Sequence, residues 1–239
     1  MPLSDTQKKL IADNKSEFSG LRALFINCTL KASNQGVSHT ETLMRDAMAI
    51  MEGCGVAVDY IRAADHDIAF GVQPDMREHG AKADDWPEHI WPKVRDSQIL
   101  VIGTPLWLGE ESSVCRVIIE RLYAHSAQVN DRDQYIYYGR AGGCIVTGNE
   151  DGVKHASMTV LYALQHVGYT IPPQADCGWI GEAGPGPSYG DELDDGSRAG
   201  FDNAFTSRNL TFMTFNLMHT ARMLKDAGGI TAHGNQKSQ

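Results

Sequence analysis

Short apolar runs alternate with longer amphipathic patterns along most of this 239-residue chain. Five runs rich in β-branched residues predict strands at 21–28, 56–61, 98–104, 142–148 and 174–181. Several of these runs are apolar almost throughout, which is typical of strands buried on both faces. Because helical patterns separate the strands, the chain requires right-handed crossovers and a parallel sheet. The alternation therefore predicts a doubly wound α/β domain with helices on both faces.

The predicted helices have recognisable ends. The sequence SHTE at 38–41 has the S-x-x-E form of a capping box, in which two side chains satisfy two free N–H groups at the helix start. Further helical patterns begin near Ser112, Val153 and Asn203. Each predicted helix thus leads away from the carboxyl end of a strand or closes the domain.

The rest of the chain is less regular. We predict a polar N-terminal arm at 1–20, a single domain at 21–229 and a flexible tail at 230–239. Glycine and proline interrupt the segments 63–97 and 181–202, and the sequence assigns neither of them a role. The second of these is too long for a plain connection in a compact domain.

Charge and composition exclude several classes of function. A net charge of −9 and a pI of about 5.4 oppose a nucleic-acid-binding surface. The sequence has no apolar run near membrane-spanning length and no secretory signal pattern, so we expect a cytoplasmic protein without membrane insertion. The five cysteines are scattered without a C-x-x-C pair, and we expect no metal site.

Three loops at strand ends are the candidate ligand site, because ligands of open parallel sheets bind beyond the carboxyl ends of the strands. The loop at 29–40 enters a helix whose positive end favours an anion, and hydroxyls accompany it. The G-x-x-x-x-G-K-[ST] loop of nucleoside triphosphate sites is absent, so the pattern favours a mononucleotide phosphate. The alternative is that Ser38 and Thr40 only cap the helix.

The other two loops suit a flat ring. The loop at 105–113 combines a stiffening proline, Trp107 and Gly109, which would form a wall against a ring. Alternatively, Trp107 covers the sheet end or a subunit contact. The loop at 147–152, TGNEDG, offers amides to a heterocycle, or else Asn149 or Asp151 simply caps the next helix.

A family resemblance is carried by three stretches: NCTLKASNQGVSHTETL, ILVIGTPLWLGEESSVCRVIIERL and GGCIVTGNEDGVKHASMTVLYALQHVGYTIPP. In this order they resemble the flavodoxin-like fold and, within it, the NAD(P)H-dependent FMN reductase and quinone reductase family. The resemblance covers roughly residues 21 to 180 and implies a five-stranded parallel sheet of order 2-1-3-4-5. The first loop is longer than the T-x-T-G-x-T turn of flavodoxins, and the cysteine cluster of iron–sulfur flavoproteins is missing.

The same resemblance implies the cofactor contacts. The first loop would hold the FMN phosphate, the second would lie along the ribityl chain and the ring, and the third would border the ring. The residues so implied are Thr29, Lys31, Ser33, Ser38 and Thr40, then Pro105, Leu106, Trp107, Leu108 and Gly109, and finally Thr147, Gly148, Asn149, Asp151 and Gly152. Whether Lys31, His39, His155 or Tyr189 contacts a ligand is left open.

By this resemblance we expect an FMN-dependent oxidoreductase that takes hydride from NADPH or NADH and reduces a quinone, a flavin or a nitro compound. No catalytic acid or base is needed, since the flavin carries the redox chemistry. A homodimer or homotetramer is expected by the same resemblance. The alternatives are a non-enzymatic flavin-binding electron carrier or redox-sensing module, and a scaffold that has lost the cofactor.

Overall fold

The computed structural model of the chain describes residues 3–184 and 186–233. Residues 234–239, most of the predicted tail, lie outside the described residues. In the described part the strands are β1 (Arg22–Asn27), β2 (Ala57–Arg62), β3 (Ile99–Trp107), β4 (Glu110–Glu111), β5 (Ala141–Gly148) and β6 (Asp176–Ile180). The α-helices are α1 (Asp5–Asp13), α2 (His39–Gly53), α3 (Trp91–Asp96), α4 (Ser113–Tyr123), α5 (Val153–Val167) and α6 (Ala204–Asp226).

Five strands form a parallel sheet in the order β2-β1-β3-β5-β6. This confirms the predicted 2-1-3-4-5 order of the parallel strands. The two-residue strand β4 was not expected; it pairs antiparallel with the end of β3. The strand order reverses between β1 and β3, so the fold places its ligand crevice beyond the carboxyl ends of those two strands.

Helices cover both faces of the sheet and bury two apolar cores. On one face, Met44 of α2 and Leu217 of α6 are fully buried. On the other, Val94, Ile118 and Val160 from α3, α4 and α5 are fully buried. The five cysteines are all free and buried, so they contribute apolar volume to the cores.

Side-chain caps fix where the helices begin. The hydroxyl of Ser38 accepts from the backbone N–H of Glu41, and the hydroxyl of Ser112 accepts from the N–H of Cys115. Asn203 caps α6 in the same way. The capping serine of α2 therefore places the first turn of this helix directly after the loop that follows β1.

Segment 63–97 is held against α4 by a buried ion pair. Asp84 and Arg121 are 2.7 Å apart, and neither side chain is exposed to solvent. The Asp84 carboxylate also accepts from the backbone N–H of Met76, and the guanidinium lies over the ring of Trp86. Because both charges are out of water, each depends on the other for compensation.

We predict that Asp84→Ala lowers the free energy of unfolding by about 3–5 kcal/mol, because it leaves the buried Arg121 cation uncompensated. The exposed pair Arg77–Glu88 in the same segment is a matched control. Glu88→Ala should change the free energy of unfolding by less than about 1 kcal/mol. Urea unfolding of both variants measures the difference, and equal effects would contradict the assignment.

Candidate functional site

The loops that follow β1, β3 and β5 line one cleft of ≈ 380 Å³ at the carboxyl edge of the sheet. Ten residues implied by the sequence as cofactor contacts line it: Thr29, Lys31, Ser38, Thr40, Pro105, Leu106, Trp107, Thr147, Gly148 and Asn149. Five others do not line it: Ser33, Leu108, Gly109, Asp151 and Gly152. The topology explains the convergence, since parallel neighbours end at the same edge.

One end of the cleft is built from hydrogen-bond donors at the start of α2. The backbone N–H groups of Ser38, His39 and Thr40 donate to no acceptor within residues 3–184 and 186–233. These N–H groups lie at the positive end of the helix dipole. The hydroxyl of Thr40 is hydrogen-bonded to that of Thr147 at 2.8 Å, and both residues are buried. This end of the cleft can bind an anion.

Buried polar groups support that end from below. The side-chain amide of Asn27 donates to the Ser38 hydroxyl at 3.0 Å and to the Tyr60 hydroxyl at 2.9 Å. The Asn27 carbonyl oxygen accepts from the backbone N–H of Thr29 at 3.1 Å. One asparagine at the end of β1 thus fixes the start of the loop and the cap of the helix together.

A second set of contacts surrounds Glu41 in the first turn of α2. Its carboxylate accepts from Tyr60 at 2.6 Å and forms short ion pairs with Arg62 and Arg45. Burial by itself raises the pKa of Glu41, but the hydrogen bonds from Arg62, Tyr60 and Arg45 lower it below the usual value. Burial and the bond to Glu41 raise the pKa of Tyr60 to about 12. The Glu41 carboxylate is therefore held in place by hydrogen-bond donors from three side chains.

Two implied phosphate contacts have other partners. The backbone N–H and the hydroxyl of Ser33 donate to Asp65 at 2.7 and 2.8 Å, so this serine faces away from the cleft. Its backbone hydrogen bond lowers the pKa of Asp65. The ammonium of Lys31 donates to the carbonyl of Val37 at 3.4 Å across the loop. No cluster of three His, Cys, Asp or Glu residues suited to a metal ion occurs among the described residues.

The segment after β3 is a hairpin, whereas the sequence predicted a loop from residue 105. β3 continues to Trp107, turns at Leu108 and Gly109, which both have positive φ, and returns as β4. The sequence predicts that the strand ends before Pro105, but β3 continues through it: β3 pairs with β1 only as far as Gly103, and Pro105 still pairs with β5. Proline has no backbone N–H, but because β3 is unpaired on the β1 side at this position, no hydrogen bond of the sheet is lost.

Leu108, Gly109 and Gly152 hold the hairpin against the loop after β5. The backbone N–H of Leu108 donates to Glu150 at 2.7 Å, and its side chain is 90% exposed. A Cβ on Gly152 would lie 2.7 Å from the Cα of Gly109. These residues therefore join two loops and do not line the cleft. Asp151 accepts from the N–H of Gly152, and no side chain caps α5, contrary to the N-cap alternative.

The segment 181–202 contributes cleft residues that the sequence did not assign. We call residues 181–184 and 186–189 the strap. Asn149 donates to the carbonyls of Gly186 and Pro187 at 3.0 and 2.8 Å and accepts from Ser188 at 3.3 Å. Nδ1 of His39 donates to the carbonyl of Tyr189 at 2.9 Å, since a carbonyl can only accept. The strap thus connects both ends of the cleft.

Some cleft-lining residues were missed at the sequence level. They are Leu30, Val37, Glu150, Gly184, Gly186 and Ser188. The unusual length and Gly/Pro content of 181–202 was the only signal for the last three. Tyr189 lies with them, but its ring is buried against Trp179 and Phe201. Trp107, at 52% exposed, is the aromatic side chain available at the cleft wall.

The family model for NADPH-dependent FMN reductases matches residues 22–178, which include all three cleft loops. The chain belongs to this family. The resemblance found in its sequence is confirmed.

Two relatives extend the comparison. The 8-demethyl-8-aminoriboflavin-5'-phosphate synthase of Streptomyces davaonensis is 35% identical over 211 residues, covering 86% of this chain and 79% of that protein. The crystal structure of RosB with bound 8-demethyl-8-formylriboflavin-5'-phosphate is similar with a TM-score of 0.76 at 32% identity. That similarity covers 92% of this chain and 94% of the RosB chain.

A third relative is a much longer protein. The divalent metal cation transporter MntH of Mycobacterium bovis is 62% identical over 208 residues, which make up 87% of this chain and 30% of that protein. The chain therefore spans less than a third of that relative's length. None of the helices described for this chain is long and apolar enough to cross a membrane.

We predict that Gly152→Ala destabilises the protein more than Gly196→Ala. Both glycines have positive φ, but a Cβ at 152 also meets the backbone of Gly109, whereas none of the described atoms lies within 4 Å at 196. The steric clash should cost about 1–3 kcal/mol in addition to the backbone strain, which is itself larger at φ +115° for residue 152 than at φ +78° for residue 196. Urea unfolding measures the difference, and equal losses would refute the close contact of the two loops.

Proposed function

We propose that the cleft binds riboflavin 5'-phosphate (FMN), with its phosphate at the start of α2 and its ring beside Trp107 and the loop at 147–149. The observation that carries this proposal is the row of unpartnered N–H groups at Ser38, His39 and Thr40, at one end of a cleft with an apolar wall. The riboflavin 5'-phosphate derivative bound to RosB supports the same ligand class.

The residues of the cleft fit such a ligand. Its volume of ≈ 380 Å³ is within the range of small-molecule sites. The hydroxyls of Thr29 and Thr40 add donors for phosphate oxygens beside the backbone N–H groups. At the other end, the backbone N–H groups of Asn149 and Glu150 donate to no acceptor in the described chain and are available to the polar edge of a ring.

We propose an NAD(P)H-dependent reaction in which this chain positions the reactants. Bound FMN supplies reversible hydride and electron transfer. The N–H groups of Asn149 and Glu150 favour negative charge that develops at the ring edge. The half-exposed indole of Trp107 offers a surface for a flat acceptor such as a quinone, a flavin or a nitro compound. NADPH or NADH is the proposed donor.

A second candidate is that a riboflavin 5'-phosphate species is the substrate and leaves after each turnover. The observation in its favour is the 35% identity to a synthase that is named for making such a compound. A resident cofactor should remain with the protein through gel filtration, whereas an exchanging substrate should not.

The cytoplasmic location and a homodimer or homotetramer remain parts of our proposal.

The first experiment titrates the purified protein with FMN and with riboflavin, which lacks the phosphate. We expect FMN to bind at least about tenfold more tightly, because hydrogen bonds to a charged group contribute about 1.5–3 kcal/mol. The loaded protein should then be bleached by NADPH or NADH without oxygen. Absence of FMN binding would refute the proposal, and binding without bleaching would favour the electron carrier.

Thr29→Val tests the phosphate end of the cleft. Thr29 lines the cleft and is 6% exposed, so the change removes a hydroxyl at nearly constant shape. We expect FMN affinity to fall at least about tenfold, the effect of one lost hydrogen bond to a charged group, with riboflavin affinity unchanged. Thr159→Val is the control, since Thr159 is a half-buried residue of α5 that does not line this cleft. Equal losses for both ligands would place the phosphate elsewhere.

A further inference from the structure

The SHTE sequence forms only half of a capping box. In the complete motif, the glutamate side chain returns to the backbone N–H of the capping serine. Here the Ser38 hydroxyl accepts from the N–H of Glu41 at 3.2 Å, but the Glu41 carboxylate does not bind Ser38. The glutamate half of our sequence prediction is therefore wrong, and the reason lies outside the helix.

Two residues at the end of β2 take the Glu41 carboxylate instead. Arg62 pairs with one carboxylate oxygen, and the hydroxyl of Tyr60 donates to the same oxygen at 2.6 Å. Arg62 is 9% exposed, so its charge needs a partner there. Arg45 also pairs with Glu41, but its side chain is 60% exposed and the pair contributes little. β2 therefore decides which way Glu41 points.

This diversion leaves the Ser38 N–H without an acceptor. In a complete capping box, the carboxylate would occupy the position that an external anion needs, at the positive end of α2. Two anions cannot share that position without strong repulsion. The helix therefore either caps itself or keeps the N–H group for a ligand, and in this structure the N–H group is unused.

We propose that Tyr60 and Arg62 are positioning residues that hold Glu41 away from the start of α2 and so keep the phosphate position of the cleft available. This inference rests on the proposed FMN site. Neither residue lines the cleft, and both act through Glu41. Arg62 also donates to the carbonyl of Gly36 at 3.3 Å and lies 3.5 Å from that of Lys31, so it supports the loop as well.

Three variants separate the hold on Glu41 from support of the loop. Tyr60→Phe with Arg62→Gln releases Glu41, which can then cap Ser38 with its charge. We expect FMN affinity to fall at least about tenfold while riboflavin affinity changes less than about threefold. Adding Glu41→Ala to this pair should restore most of the FMN affinity. Glu41→Ala alone leaves Arg62 without its partner and should lower stability, but FMN affinity should not fall by more than about threefold.

The decisive comparison is between the FMN affinity of the triple variant and that of the double variant. If the triple variant binds FMN as weakly as the double variant, the loss came from the loop carbonyls and our inference is wrong. Equal loss of riboflavin and FMN in the double variant would also overturn it. A parent protein that does not prefer FMN to riboflavin would instead refute the proposed function. Arg62→Lys keeps a cation beside Glu41 and should lose less FMN affinity than the double variant does.

A measurement without ligand tests the same inference and does not depend on FMN. The amide resonance of Ser38 in ¹⁵N-labelled protein reports whether Glu41 is its acceptor. In the double variant we expect this resonance to shift as Glu41 titrates, and in the parent and in Arg62→Lys we expect no such shift. An unchanged Ser38 resonance in the folded double variant would contradict the inference.

Discussion

The pairing of β3 with two neighbours determines where the cleft is. β1 pairs with β3 only as far as Gly103, whereas β5 pairs with it as far as Pro105. β3 therefore extends past β1 and leaves a step at the edge of the sheet. The loop after β1 and the start of α2 occupy one side of this step, and the β3–β4 hairpin and the loop after β5 occupy the other. The donors and the apolar wall come together because of this register.

Much of the fold could be predicted because its signals are local. Apolar runs and helical spacing indicated the parallel strands, and Ser112 and Asn203 marked helix starts with their own side chains. The hairpin was missed because proline normally ends a strand, and only the register with β1 shows why Pro105 is tolerated. A sequence signal cannot carry this information, since it depends on where a neighbouring strand stops.

The site was less predictable than the fold for the same reason. Ser33, Asn149 and Glu41 each have residue types that suit a ligand or a cap, but each is bound by a residue distant in sequence. Ser33 is hydrogen-bonded to Asp65, Asn149 to the strap, and Glu41 to residues at the end of β2. A polar side chain in a loop has several partners within reach, and tertiary structure decides between them. Backbone N–H groups were more predictable because helix geometry fixes them.

The way the strap is held has a consequence for local opening of the structure. Only Tyr189 of the strap is buried; the described residues at 181–184 and 186–188 are not, and they depend on hydrogen bonds such as those from Asn149. Such a segment opens locally at a smaller free-energy cost than the sheet beneath it. This exposed part of the strap can therefore open while the sheet stays folded, and Tyr189, whose ring is buried and whose carbonyl accepts a hydrogen bond from His39, is the end that stays fixed.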